Sequence, residues 1–107
     1  MGLFSRNKPQ EEEKIEASAE RIIMKQMTDN EEAARDLVLE IKNGNPVCLN
    51  FKNLNEEVGN KYLAFFIGAT VALDGRTTKI NEYTYLFARR EDFLDGSLKK
   101  WIDSIPR

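Results

Sequence analysis

The sequence predicts a two-layer α/β sandwich with the element order β-α-β-α-β-β plus a C-terminal helix. Three observations predict it. A capped amphipathic helix lies between two short apolar runs, a second helix is apolar on more than one side, and an Asp-Gly turn leads into two strands of alternating pattern. At 107 residues the chain makes one domain with a modest core.

Residues 1 to about 19 differ in composition from the rest. Met1, Leu3 and Phe4 are apolar, Arg6 and Lys8 are basic, and Pro9 precedes Glu11, Glu12 and Glu13. Such a segment buries too little apolar surface to order itself alone, so residues 1–19 read as a flexible tail and 20–107 as the domain. Ile22-Ile23-Met24, within Arg21 to Met27, predicts the first strand. Thr28-Asp29-Asn30-Glu31 has the form of a capping box, and Ala33, Leu37 and Ile41 recur at helical spacing beside Ala34 and Val38. Gly44 supplies the stop, which sets a helix from about Asn30 to Asn43.

Val47 to Phe51 reads as a short buried strand. Asn53 or Asn55 can cap the second helix, which runs from about Asn55 to Leu73. Val58, Tyr62, Phe65, Phe66, Ala69, Ala72 and Leu73 form one broad stripe there, and Leu63, Ile67 and Val71 a further row. One sheet cannot cover so wide an arc. Each large apolar side chain left in water forgoes about 1.5–3 kcal/mol, so a second surface is expected, most simply that of an identical subunit. Gly68 weakens the helix by about 1 kcal/mol relative to alanine, which fits close approach by another backbone.

Beyond Asp74-Gly75, Thr77 to Ile80 and Tyr83 to Ala88 read as a hairpin joined through Asn81-Glu82. Tyr83, Tyr85 and Phe87 fall on one face and Thr84, Leu86 and Ala88 on the other. Leu98, Trp101, Ile102 and Ile105 mark a terminal helix within Gly96 to Ile105, ended by Pro106.

Composition removes several function classes. The net charge of −2, from 16 basic and 18 acidic residues, disfavours nucleic acid. Without histidine the commonest general base and imidazole ligand are missing, and one cysteine makes zinc unlikely, so no cofactor, metal or catalytic residue is assigned. Glu56-Glu57 and Glu91-Asp92 read as solvated surface. Cys48 sits in the apolar run Pro46 to Phe51 as a small buried hydrophobe, which suggests a reducing cytosol. No run is long enough to span a bilayer or to serve as a signal peptide, so the expected location is cytoplasmic.

From Arg21 to Ala88 the chain resembles the SepF family, cytoplasmic cell-division proteins that bind the tubulin-like protein FtsZ. The matching words are NEEAARDLVLEIKNGNPVCLNF, FFIGATVALDG and TTKINEYTYLF, in that order. The resemblance implies a non-enzymatic adaptor: a homodimer, able to assemble further, that grips the C-terminal tail of FtsZ between the second helix and the last hairpin. It also implies an N-terminal segment that ties the protein to the inner face of the membrane.

Carried over by position, the resemblance places Lys79 and Tyr85 at the FtsZ tail. A cation can pair with tail carboxylates while an aromatic face takes an apolar side chain. Otherwise they are an ordinary strand lysine and sheet aromatic. Phe66, Gly68 and Gly75 are assigned to self-association, through the helices or through the open face of the sheet; Gly75 also reads as a turn glycine needed for positive φ.

Three departures from the family pattern stand out. Asn81 or Glu82 replaces the hairpin glycine, Ala88-Arg89 replaces Thr-Pro, and the linker after MGLFSR is short. Leu3 and Phe4 make weak membrane contact, strengthened in a dimer, or belong to a plain tail. Arg6 rules out an N-myristoylation start. The alternative function is a single-stranded RNA-binding module, in which Tyr83, Tyr85 and Phe87 stack bases.

Overall fold

The computed structural model describes residues 16–106, so Leu3 and Phe4 lie outside the described residues. A 3-10 turn, Ser18–Arg21, leads into strand β1, Ile23–Gln26. Helix α1, Glu31–Lys42, is capped by Asn30, whose Oδ1 accepts the Ala33 N–H at 2.9 Å. The expected cap, Thr28, sits two residues too early, because Asn30 still has extended backbone and holds the side-chain oxygen that reaches the first turn. Gly44, left-handed at φ 95°, closes the other end.

Strand β2, Val47–Asn50, precedes helix α2, Glu56–Ala72. Of the two candidate caps, Asn55 is the one used: its Oδ1 accepts the Val58 N–H at 2.9 Å. Strands β3, Gly75–Asn81, and β4, Thr84–Arg89, form the hairpin. Tyr83 falls in the turn rather than in β4. A second 3-10 turn, Arg90–Phe93, and helix α3, Ser97–Asp103, complete the chain. The strands make one sheet in the order β1-β2-β4-β3, with β1 parallel to β2 and the other pairs antiparallel.

Side chains alternate along each strand, so the sheet serves two cores. Val47, Leu49 and Phe87 face α1 and α2, where they meet Ala34, Ile41, Tyr62 and Phe66. Cys48, Ile80, Leu86 and Ala88 face the other way and are covered by Leu98, with Trp101, Ile102, Ile105, Phe93 and Ile22 packed around them. The sheet face left open by the sequence reading is therefore closed by α3 and the 3-10 turns. Burial pushes the Cys48 thiol up to about 11, which suits its place as a small hydrophobe.

Helix α2 sets its phase by burying Tyr62, Phe66 and Thr70, each four residues from the last. Phe66 is 0% exposed, its ring 5.3 Å from that of Phe87. It belongs to the core and presents nothing to a partner, which corrects its assignment to an assembly surface. Phe65, Ile67, Gly68 and Val71 point outward instead, with Phe65 41% and Val71 70% exposed. Thr70 satisfies its hydroxyl by donating to the Phe66 carbonyl at 2.6 Å. The Tyr62 hydroxyl donates to Asp29 Oδ1 at 2.8 Å; burial and then that acceptor push the phenol up to about 12.

Gly75 is required for closeness rather than for backbone handedness. The positive φ of this turn falls on Asp74, at 56°, while a Cβ on Gly75 would stand 2.5 Å from the Ala88 carbonyl and 2.7 Å from Thr70 Cγ2. Gly68 has nothing within 4 Å of the same hypothetical atom.

Polar contacts join the two ends of the domain. Asp92, buried, accepts from Arg21 Nη2 at 3.1 Å and Arg89 Nε at 3.0 Å, and Arg21 Nε also donates to the Gly44 carbonyl at 2.9 Å. Ser18 N–H donates to Asp95 Oδ2 at 2.9 Å and Ala19 N–H to Ser97 Oγ at 3.0 Å. Residues 18 and 19, assigned to the tail by composition, are thus pinned beside α3.

Two stability predictions arise from these contacts. Gly75→Ala should lower stability by about 1–3 kcal/mol through overpacking, whereas Gly68→Ala should raise the intrinsic stability of α2 by about 1 kcal/mol; paired denaturant titrations read both. Bonds from the Ser18 N–H, then from the Ser97 N–H and hydroxyl, hold the Asp95 carboxyl well below its ordinary 3.8. A depressed carboxylate stabilises the fold above its unfolded value and loses that effect as pH falls through the folded one. Asp95→Asn should therefore be less stable than the parent near pH 7, with the gap narrowing on acidification below about pH 4 in urea titrations.

Candidate functional site

An open cleft of about 460 Å³ lies between the first half of α2 and the β3–β4 hairpin. Its floor follows from the end of β2. Phe51 leaves the strand with its N–H donated to the Tyr83 carbonyl at 2.8 Å, and Leu54 turns the chain toward the Asn55 cap. Phe51 meets Tyr85 edge-on at 6.0 Å between ring centres, and Tyr85 stacks along Phe87 at 6.4 Å. Leu63 from α2 closes the far wall. The rim is polar: Lys52, Glu56, Asn60 and Glu82 surround the floor, with Tyr83 standing on the turn at 42% exposure.

Asparagine side chains hold the backbone around this cleft in shape. Asn50 Nδ2 donates to Thr84 Oγ1 at 3.0 Å while its Oδ1 accepts the Lys52 N–H at 2.9 Å, and Asn81 Oδ1 accepts the Tyr83 N–H at 3.1 Å. The bonds to the Lys52 and Tyr83 N–H groups replace water at loop backbone, which lets short loops of uneven composition keep one conformation. The register shift between Lys79 and Asn81 adds a bulge that re-aims the tip of the hairpin.

The expected site residues divide in two groups. Tyr85, half-buried, forms part of the cleft floor. Lys79 pairs with it across the β3–β4 ladder and is exposed, yet it does not line the cleft; among the described residues it makes no ion pair. Opposed residues of an antiparallel pair share a face, so the two side chains are neighbours on the α2 side of the sheet. Phe51, Leu54 and Glu82 carry no site role in the sequence, and Glu56 reads there as solvated surface, because loops bring the four together.

The base-stacking alternative loses its surface. Phe87 is fully buried under α2, Tyr85 is half-buried beside it, and Tyr83 has left the strand, so no aromatic row lies open on the sheet.

Away from the cleft, the outward face of α2 carries Ala64, Gly68 and Ala72 in a row flanked by Phe65, Ile67 and Val71. Among the described residues no helix is long and apolar enough to cross a membrane.

Comparison with known proteins agrees with this geometry. The SepF family, described as cell division protein SepF, matches residues 19–90, more than half of the chain. The chain is 35% identical over 63 residues to the cell division protein SepF of Carboxydothermus hydrogenoformans, covering 59% of this chain and 46% of that protein. It is 29% identical over 80 residues to the protein of the same name from Alkaliphilus oremlandii, covering 75% and 54% respectively. The chain thus spans about half the length of the curated relatives it matches. With the profile spanning β1 through β4 and the α/β architecture in place, this chain belongs to the SepF family of cell division proteins.

Proposed function

We propose that this chain is a non-enzymatic adaptor of cell division that binds the C-terminal tail of FtsZ in the cleft between α2 and the last hairpin. The observation that carries this reading is the placement of Tyr85: a half-buried aromatic in the floor of an open cleft and, beside it on an edge strand, a lysine that makes no ion pair among the described residues. An apolar side chain of the tail packs on Tyr85 and Phe51, and Lys79 meets a tail carboxylate at the margin.

The adaptor works as a homodimer. The far face of the sheet is covered by α3, which leaves the outward face of α2 as the apolar surface for a twin, with Gly68 admitting close approach. The N-terminal segment, through Leu3 and Phe4, supplies a weak contact to the inner membrane face that pairing strengthens.

Titration of the full chain with a synthetic FtsZ tail peptide tests the first part. Tyr85→Ala should weaken binding by about tenfold or more and Lys79→Glu by roughly threefold to tenfold, both without loss of fold by circular dichroism. No binding to the folded parent at high micromolar peptide sinks the reading. Sedimentation tests the second: the parent should run as a dimer and Ile67→Glu as a monomer, and a parent that stays monomeric when concentrated refutes the pairing.

A further inference from the structure

The cleft carries a charge arrangement that the adaptor reading does not use. Glu56 stands on its α2 side and Glu82 on its hairpin side, and among the described residues neither has an ion-pair partner. Carboxylates in two neighbouring grooves are already matched: Glu31 pairs with Lys61, Asp74 with Arg90 and Glu91 with Arg89. Among the described residues only one cation, Lys52, lines the cleft against the two acids. A first-turn glutamate such as Glu56 is ordinary for a helix, since it complements the dipole. That account does not extend to Glu82, which lies in a turn on the opposite wall.

We infer that the cleft takes an extended peptide that sets a lysine or arginine between Glu56 and Glu82 while an apolar neighbour rests on the floor of Phe51, Leu63 and Tyr85. The inference rests on the adaptor reading for its partner, and on the cleft alone for its chemistry. Two carboxylates on facing walls, open to water at one side, hold a long cationic side chain by charge while its methylene stem covers the apolar floor. The exposed ring of Tyr83 on the rim adds a π face to the same cation. Lys79, outside the cleft, meets a carboxylate, so the occupant is a segment of mixed charge rather than a purely acidic one.

The test uses the full chain and two capped hexapeptide probes, one alternating leucine with arginine and one alternating leucine with glutamate. With the first probe the backbone amide resonances of Gly59, Asn60 and Leu63 should shift; with the second they should stay in place. The double variant Glu56→Gln/Glu82→Gln should weaken the leucine–arginine probe by roughly threefold per carboxylate removed, while Glu57→Gln, on the same turn but outside the cleft, should leave it unchanged. Equal shifts from both probes, no shift from either, or unaltered affinity in the double variant would overturn the assignment.

An FtsZ tail peptide run in parallel separates the two proposals. If the tail fails to bind the parent while the leucine–arginine probe succeeds, the adaptor reading falls and the cleft chemistry stands. If the tail binds parent and double variant alike, the charge assignment falls and the adaptor reading stands.

Discussion

The contact of Phe66 with Phe87 governs most of what this domain offers to others. Once Phe66 is seated on β4, helical geometry leaves no freedom for the rest of α2: Tyr62 and Thr70 go inward on the same side, and Phe65, Ile67 and Val71 must face water. The same seating carries Leu63 to the edge of the sheet, where it becomes a wall of the cleft. At the far end of the helix the missing Cβ of Gly75 lets β3 lie against Thr70. One packing interface therefore fixes both the cleft and the uncovered apolar face.

The second constraint is electrostatic and joins the ends of the chain. Burying Asp92 is costly unless it is paired, and two arginines meet it while also donating to the carbonyls of Gly44 and Lys42 around the end of α1. Asp95 and Ser97 then hold Ser18 and Ala19. Ala19 and Ile22 pack with the α3 cluster, on the sheet face opposite α1 and α2.

How far the sequence could be read depended on whether a feature was local. Both long helices, all four strands and the α3 stripe follow from periodicity and from turn residues, and Asn55 and Gly44 mark boundaries by chemistry that needs no distant partner. The phase of α2 did not follow. With Phe65 and Phe66 adjacent in an arc apolar on most sides, no pattern tells which ring enters the core, and only the position of Phe87 decides it. The role of Gly75 was hidden for a similar reason, since Asp-Gly suggests a turn while the close carbonyl of Ala88 belongs to a strand paired beside it. Tyr85 was singled out through family resemblance, and the fold sets it in the cleft floor. Glu56 and Glu82 were not, because residues 26 positions apart in sequence come to line one cleft only when the hairpin folds over the start of α2.

The two surfaces of α2 divide its length between them, and this bears on whether the proposed adaptor could serve two partners at once. The cleft draws on residues up to Leu63; the outward apolar row begins at Ala64 and runs to Ala72. A peptide in the cleft and a twin along the row therefore need not displace one another. If both are occupied, each dimer presents two clefts on one rigid body, and a filament displaying many tails is held with far greater strength than a single cleft supplies. Under that proposal modest affinity at each cleft suffices, in keeping with a small, partly polar cleft.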